Sequence, residues 1–288
     1  MPLKSEENAM TTIKLSAFAD EYADSFAEQL TALNRFGIDY VEIRHVDKKN
    51  ISVLTPEEVR TAKQLLDAHG IGVSAIGSPL GKIRLDEDID AHMETAKRVF
   101  ESANVLGAKY IRMFSFYAPK GEDVTTMKGQ ALDALERMLR VAQEAGVTLC
   151  HENEARIYGD TPARCREILD HFGGALKCVF DMGNFVLEGV EPMAAYQLLQ
   201  PDIAYFHIKD ALAAGAIVPP GKGDAKIREI LTAHAAEATE PFFVSLEPHL
   251  QTFSGLNALV GRSFENPYQY ADAKVAFADA VTKFRELI

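Results

Sequence analysis

The sequence predicts an α/β protein, a (β/α)8 TIM barrel folded as a single domain. Three observations carry this. Eight short runs of apolar and β-branched residues alternate with helix-like stretches along 288 residues, near the roughly 250 typical of such barrels. No linker rich in Pro, Gly or Ser divides the alternation. Four consecutive runs in the second half each end on an ionisable residue, where a barrel carries its chemistry.

The strands are expected at Ile13–Phe18, Tyr40–Val46, Gly72–Gly77, Tyr110–Phe116, Val147–Glu152, Leu176–Asp181, Ile203–His207 and Phe242–Glu247. Between the early strands lie the helical stretches DSFAEQLTALNRFG, PEEVRTAKQLLDAHG, HMETAKRVFESANVLG and LDALERMLRVAQEAG. Each closes on a glycine (Gly37, Gly70, Gly107, Gly146) just before the next strand, as a helix C-terminus prefers. Thr55-Pro56-Glu57-Glu58 and Asp160-Thr161-Pro162 read as N-caps with proline in the first turn. The competing architecture, an open doubly wound sheet, lacks its G-x-G-x-x-G after the first strand. Pro219 to Asp224, PPGKGD, lacks P-loop spacing and reads as a loop. Residues 1–12, MPLKSEENAMTT, have no signal-like apolar run and are expected to be a frayed segment ahead of a barrel over 13–288.

Composition narrows the function classes. The chain is 47% hydrophobic and 25% charged, enough apolar material for a large core. A formal net charge of −12 argues against nucleic acid or an anionic membrane as the main partner. Cys150, Cys165 and Cys178 form neither a C-x-x-C pair nor an even framework, so they read as reduced thiols of a cytoplasmic protein and as small buried hydrophobes. No stretch approaches a membrane span.

Strand five ends in Glu152, strand six in Asp181, strand seven in His207 and strand eight in Glu247. Counting back by two places Cys150, Val179, Tyr205 and Ser245 on the same, inward face. Leu149, Phe180, Phe206 and Leu246 then fall outward, under the helices. A lone glutamate at a strand end is usually a surface residue, and a lone histidine is usually structural. Four converging strand ends are different: three carboxylates beside one imidazole repel one another unless a cation joins them. The set suits one divalent ion, Mn²⁺ or Mg²⁺, and tolerates Zn²⁺ or Co²⁺. His151, Glu154 and His249 have the wrong parity or lie past the strand end, and are expected behind that set or at the surface, with substrate contact the lesser alternative.

The succession E-N-x, G-D-T-P, F-D-M-G-N, H-I-K-D with a later G-K-G-D, and S-L-E-P resembles the sugar phosphate isomerase/epimerase family, the xylose isomerase-like barrels. That family includes ketose 3-epimerases, hydroxypyruvate isomerases, inosose isomerases and dehydratases, and endonuclease IV. The resemblance covers the chain from about residue 13. It implies a metal held by Glu152, Asp181, His207 and Glu247, with Glu152 and Glu247 also moving protons as an acid/base pair. It also makes a homo-oligomer plausible. Many members carry histidine three residues after the strand-six aspartate, where this chain has Asn184. That departure, the shortage of histidines and the negative charge disfavour the endonuclease branch.

An isomerase or epimerase working through a metal-stabilised enediolate is therefore expected. One carboxylate takes the proton beside a carbonyl, and a second returns one. A polyol dehydratase could use the same ligands, and a non-catalytic sugar-binding barrel is the third reading. For substrate binding the other half of the mouth offers Glu42 and Arg44 on strand two, Ser78 and Lys82 after strand three, and Arg112 and Phe114 on strand four. Asn184 and Lys209 add polar groups beside the ligands, and Lys222 lies nearby in sequence. So many cations in an acidic protein suggest an anionic group on a small carbohydrate substrate. Alternatively, Arg44 and Arg112 are each neutralised internally by Glu42.

Overall fold

The computed structural model describes residues 13–250 and 268–288. The expected frayed segment 1–12 lies outside them. Eight parallel strands form one nearly closed barrel: β1 (Ile13–Ala17), β2 (Tyr40–Ile43), β3 (Gly72–Gly77), β4 (Tyr110–Met113), β5 (Thr148–Glu152), β6 (Lys177–Asp181), β7 (Ile203–Ile208) and β8 (Phe242–Leu246). Every expected strand forms within one residue of its expected ends, except β2 and β4, which stop three residues early at Ile43 and Met113. Each strand pairs with its neighbour in sequence from β2 through β8, and β8 pairs with β1, Ile13 opposite Phe242. The seam lies between β1 and β2. Beside it, the Ser74 hydroxyl on β3 meets Ser16 Oγ of β1 at 2.6 Å and the Val41 carbonyl of β2 at 3.2 Å.

Helices cover the outside: α1 (Phe26–Phe36), α2 (Pro56–His69), α3 (Ile89–Leu106), α4 (Lys128–Ala145), α5 (Pro162–Phe172), α6 (Met182–Leu187), α7 (Pro192–Leu199), α8 (Ile227–Glu237) and α9 (Ala273–Arg285). Local chemistry sets their ends. Thr55 and Glu58 exchange the reciprocal bonds of a capping box at α2, and Thr161 caps α5 ahead of Pro162. Gly37, Gly70, Gly107 and Gly146 close α1 to α4 in the left-handed conformation.

Strand periodicity divides the core in two. Ala75, Cys150, Val179 and Tyr205 fill the barrel interior, packed by Tyr110, Ala204 and Phe243. Leu149, Phe180, Phe206 and Leu246 join the larger layer between sheet and helices. The two-residue alternation thus places these side chains as the sequence suggests. Two register shifts interrupt it, at Val41/Glu42 against β3 and at Cys178/Val179 against β7. Both bulges precede a carboxylate of the barrel mouth, where a bulge re-aims side chains. The three cysteines are buried and unbridged. No described helix is long and apolar enough to cross a membrane.

Candidate active site

Glu152 and Asp181 end β5 and β6, His207 lies near the end of β7, and Glu247 follows β8 directly. Register aligns them: His207 sits opposite Asp181 on one side and Ser245 on the other. All four are buried, and one ligand atom from each lies within 4.8 Å of the others.

Glu152 and Glu247 each give one oxygen to an arginine and turn the other toward the cluster, whereas both oxygens of Asp181 accept from the protein. Asp181 caps α6, its Oδ1 accepting the Asn184 backbone N–H at 2.7 Å. Its Oδ2 accepts from Lys209 Nζ at 2.9 Å. Glu152 Oε2 accepts from Arg112 Nη1 at 2.8 Å, while Oε1 lies 3.0 Å from His207 Nδ1. Glu247 Oε1 accepts from Arg44 Nη1 at 2.9 Å. Its Oε2 is buried and accepts no hydrogen bond, although Lys209 Nζ lies 3.2 Å away. His207 follows the same plan: Nε2 lies 3.0 Å from Glu42 Oε2, and Glu42 Oε1 accepts from the Tyr205 hydroxyl at 2.9 Å. A carboxylate behind an imidazole fixes its orientation and tautomer, a common support for metal-binding histidines. Three inward oxygens and one nitrogen form a hard, mixed donor set able to hold a divalent ion. The orphaned Glu247 oxygen fits that use.

The electrostatics follow from burial among charges. Burial pushes Asp181 up to about 6, against the lowering effect of Lys209. Burial would also raise Glu152, but His207 and Arg112 outweigh it and hold the carboxyl below its usual range. Glu247 is likewise kept well below by Lys209 and His249, against its burial. His207 is lifted well above the usual imidazole range, the carboxylates of Glu42 and Glu152 overcoming its burial. Glutamates 152 and 247 are therefore ionised at neutral pH.

The remaining residues named from sequence scatter more widely. Arg44 does not pair with Glu42. Its Nε bonds Asp20 Oδ2 at 2.7 Å, and its Nη2 lies 3.4 Å from Glu21 Oε1. Arg112 pairs with Glu152 and not with Glu42. The reason is Glu42 itself, which reaches Tyr205 and His207 across the barrel. Ser78 is fully buried and donates to the Arg112 carbonyl at 2.5 Å, holding a turn. Lys82 Nζ lies 3.0 Å from Glu154 Oε2 and 4.2 Å from the Phe114 ring centre, with Arg112 stacked on the same ring at 4.8 Å. Asn184 Oδ1 accepts from Lys209 Nζ at 3.1 Å, and its Nδ2 donates to the Asn153 carbonyl at 2.9 Å. Lys222 is exposed. Its loop is pinned by Asp210, whose carboxylate accepts backbone N–H groups of Ala211, Gly221, Gly223 and Ala225.

Of the three flanking residues, His151 points away from the cluster toward Ser115, with Nε2 2.9 Å from its hydroxyl. Glu154 meets Lys82. His249 packs between Glu21 and Glu247, its Nε2 3.4 Å from each. Sequence reasoning passed over Asp20, Glu21 and Asn153. Asn153 Oδ1 accepts the Asp181 N–H at 3.0 Å, and its Nδ2 donates to the Asp181 carbonyl at 2.9 Å, tying β5 to β6. The signal for the first two was present: F-A-D-E puts two acids directly after β1, at the mouth end of a barrel strand.

The family model described as xylose isomerase-like TIM barrel matches residues 30–256. Among curated proteins, inosose dehydratase from Bacillus thuringiensis (strain Al Hakam) is 25% identical over 158 residues, 48% of this chain and 49% of that protein. The match thus spans about half the length of that relative. Two solved structures show the same fold over nearly the whole chain. D-psicose 3-epimerase from Clostridium cellulolyticum H10, determined with D-tagatose, superposes with a TM-score of 0.72 at 15% identity, covering 95% of this chain and 98% of that one. A xylose isomerase-like TIM barrel protein from Mycobacterium smegmatis, in complex with magnesium, gives 0.69 at 17% identity, covering 97% of each chain. With the family model matching most of its length, the chain belongs to the xylose isomerase-like TIM barrel family.

Proposed function

We propose that the protein catalyses metal-dependent proton transfer at the carbon beside a carbonyl in a small polyhydroxylated substrate, as a sugar isomerase or epimerase. One observation supports it above the rest: Glu152 and Glu247 each have one oxygen held by an arginine and turn the other toward His207 Nδ1, 3.0 and 3.5 Å away. Glu152, Asp181, His207 and Glu247 would hold one divalent ion, of which Mn²⁺, Mg²⁺, Zn²⁺ and Co²⁺ all accept such donors. The ion, when bound, supplies Lewis-acid polarisation of a carbonyl oxygen and so acidifies the neighbouring C–H.

The chain's own part is to position and move the proton. Glu152 and Glu247 come from different strands, are ionised, and are each held by an arginine. One accepts the proton and the other returns one. Return to the opposite face of the same carbon inverts it, and return to the neighbouring carbon isomerises the substrate. Phe18, fully buried, packs edge-on against His207 at 5.1 Å.

A dehydratase reading shares the first step and then expels a hydroxyl. Two observations favour it: the inosose dehydratase relatives, and the buried Lys209 ammonium 3.2 Å from Glu247 Oε2, where it could protonate a leaving group. Incubating the Mn²⁺-loaded protein with ketoses and inososes in D₂O separates the readings. Deuterium at the carbon beside the carbonyl with an isomeric product supports the isomerase. Loss of water supports the dehydratase. If no substrate exchanges or reacts, the proposal fails.

A further inference from the structure

The buried and half-buried cations described at the barrel mouth are already committed. Among the described residues Arg44 answers Asp20 and Glu247, Arg112 answers Glu152, Lys209 answers Asp181, and Lys82 answers Glu154. Glu42 is left over, hydrogen-bonded only to Tyr205 and His207. A phosphate or carboxylate reaching these cations would have to draw Lys82 from Glu154 or Arg112 from Glu152. Taking Arg112 strands the buried Glu152 carboxylate, which is unfavourable, and taking Lys82 leaves the half-buried Glu154 with only the Ala155 N–H. A neutral oxygen needs no such exchange. Arg112 Nε is buried without an acceptor and suits such an oxygen, while the charge of its guanidinium is already met.

The Lys82–Glu154 pair has the form of a hydroxyl reader. An ammonium only donates and a carboxylate only accepts, whereas a hydroxyl does both. The two groups stand 3.0 Å apart and are only partly exposed, 11% for Lys82 and 15% for Glu154. The Phe114 ring lies against the Lys82 ammonium and against Arg112, so the pair sits one aromatic ring from the arginine that holds Glu152. The ring itself is 1% exposed, so it positions the two cations and leaves the reading of a hydroxyl to the charged pair.

The backbone holds this arrangement ready. Lys82 N–H donates to the Pro79 carbonyl at 2.9 Å, and Phe114 N–H donates to the Leu80 carbonyl at 2.8 Å. Gly81 stands between them at φ +84°, so close to the Phe114 carbonyl that a β-carbon would collide with it. The turn and the ring are thus locked together. Preorganisation of this kind reduces the ordering cost of binding.

We infer that Lys82 and Glu154 form a specificity subsite for a hydroxyl at the far end of the substrate, and that the substrate is a neutral polyhydroxylated carbonyl compound. This reverses the expectation of an anionic substrate, and it rests on the proton-transfer function proposed above.

The experiment uses matched pairs, D-fructose with D-fructose 6-phosphate and D-tagatose with D-tagatose 6-phosphate, on the Mn²⁺-loaded protein. Deuterium exchange and thermal shift are both read. The neutral member should exceed its phosphate at least tenfold in kcat/KM for exchange. Glu154→Gln frees the Lys82 charge, so it should raise KM for the neutral sugar about tenfold, leave kcat within about threefold, and improve the phosphate. Lys82→Met should raise KM for the neutral sugar without improving the phosphate. A wild-type preference for the phosphate overturns the inference alone, as does a Glu154→Gln variant that weakens both members equally. Absence of exchange with either series removes the functional proposal and takes this inference with it.

Discussion

Lys209 Nζ lies 2.9 Å from Asp181 Oδ2, the one oxygen of that carboxylate not used to cap α6, and both side chains are buried. The contact depends on Gly183. A β-carbon there would come within 2.6 Å of the Lys209 carbonyl, so only glycine lets α6 approach β7 this closely. Asp181 therefore serves at once as helix cap and partner of a buried ammonium, and the proposed metal site asks a third task of it, as an oxygen donor.

That overlap dictates how the metal proposal is tested. Asp181→Asn keeps a good N-cap while removing the charge, and His207→Ala removes the nitrogen donor. Each should lower divalent-ion affinity at least 100-fold by calorimetry, with the far-ultraviolet circular dichroism spectrum unchanged. Full occupancy in both variants by elemental analysis would sink the site.

Glu152→Gln and Glu247→Gln keep an oxygen in place but cannot accept a proton. Each should slow deuterium exchange by about 10² to 10⁴, the usual contribution of a positioned acid or base. Substrate affinity should change much less. Wild-type exchange in a metal-loaded variant would reduce that glutamate to a ligand.

Glu42→Gln tests the support behind His207. An amide in place of the carboxylate weakens the hold on Nε2, and metal affinity should fall about 10- to 100-fold, the usual effect of losing such a partner. Tyr205 keeps its hydrogen-bond partner, so the melting temperature without metal should move by only a few degrees. Unchanged affinity would show that the barrel walls alone orient the imidazole.

The fourth prediction concerns acid stability. Burial depresses His151 to about 4 from an ordinary value of 6.5. Between these values the unfolded chain binds the proton and the folded protein does not, so stability should fall as pH drops from 6.5 to about 4. The loss approaches about 1.4 kcal/mol per pH unit, or ~3 kcal/mol in all. His151→Gln should flatten this part of the profile in thermal melts at stepped pH. An unchanged slope would assign the acid sensitivity elsewhere, with His249, also near 4 through burial, the next group to test.

The barrel was legible because its evidence is local. Each strand in the sequence carries its own apolar run, and four early helices carry their own closing glycine. The ends of β5 to β8 were legible for a similar reason: alternation fixes which face a side chain takes, and strand ends share one side of the barrel. Glu152, Asp181, His207 and Glu247 could be placed together without knowing a single distance.

The pairings across the barrel were not legible. Arg44 and Glu42 sit two residues apart in sequence, yet Arg44 joins Asp20 and Glu247 while Glu42 crosses to His207. The bulge at Val41/Glu42 belongs to the register of β2 against β3, and no single strand encodes it. Arg112 and Lys82 looked from sequence like free cations for an anionic substrate. The fold brings each against a carboxylate, Glu152 and Glu154. The sequence by itself determined the strands, their inward faces and the residues that meet at the mouth. Only the tertiary structure decided which charges neutralise one another there, because Coulomb pairing depends on distances between strand ends set by closure of the barrel.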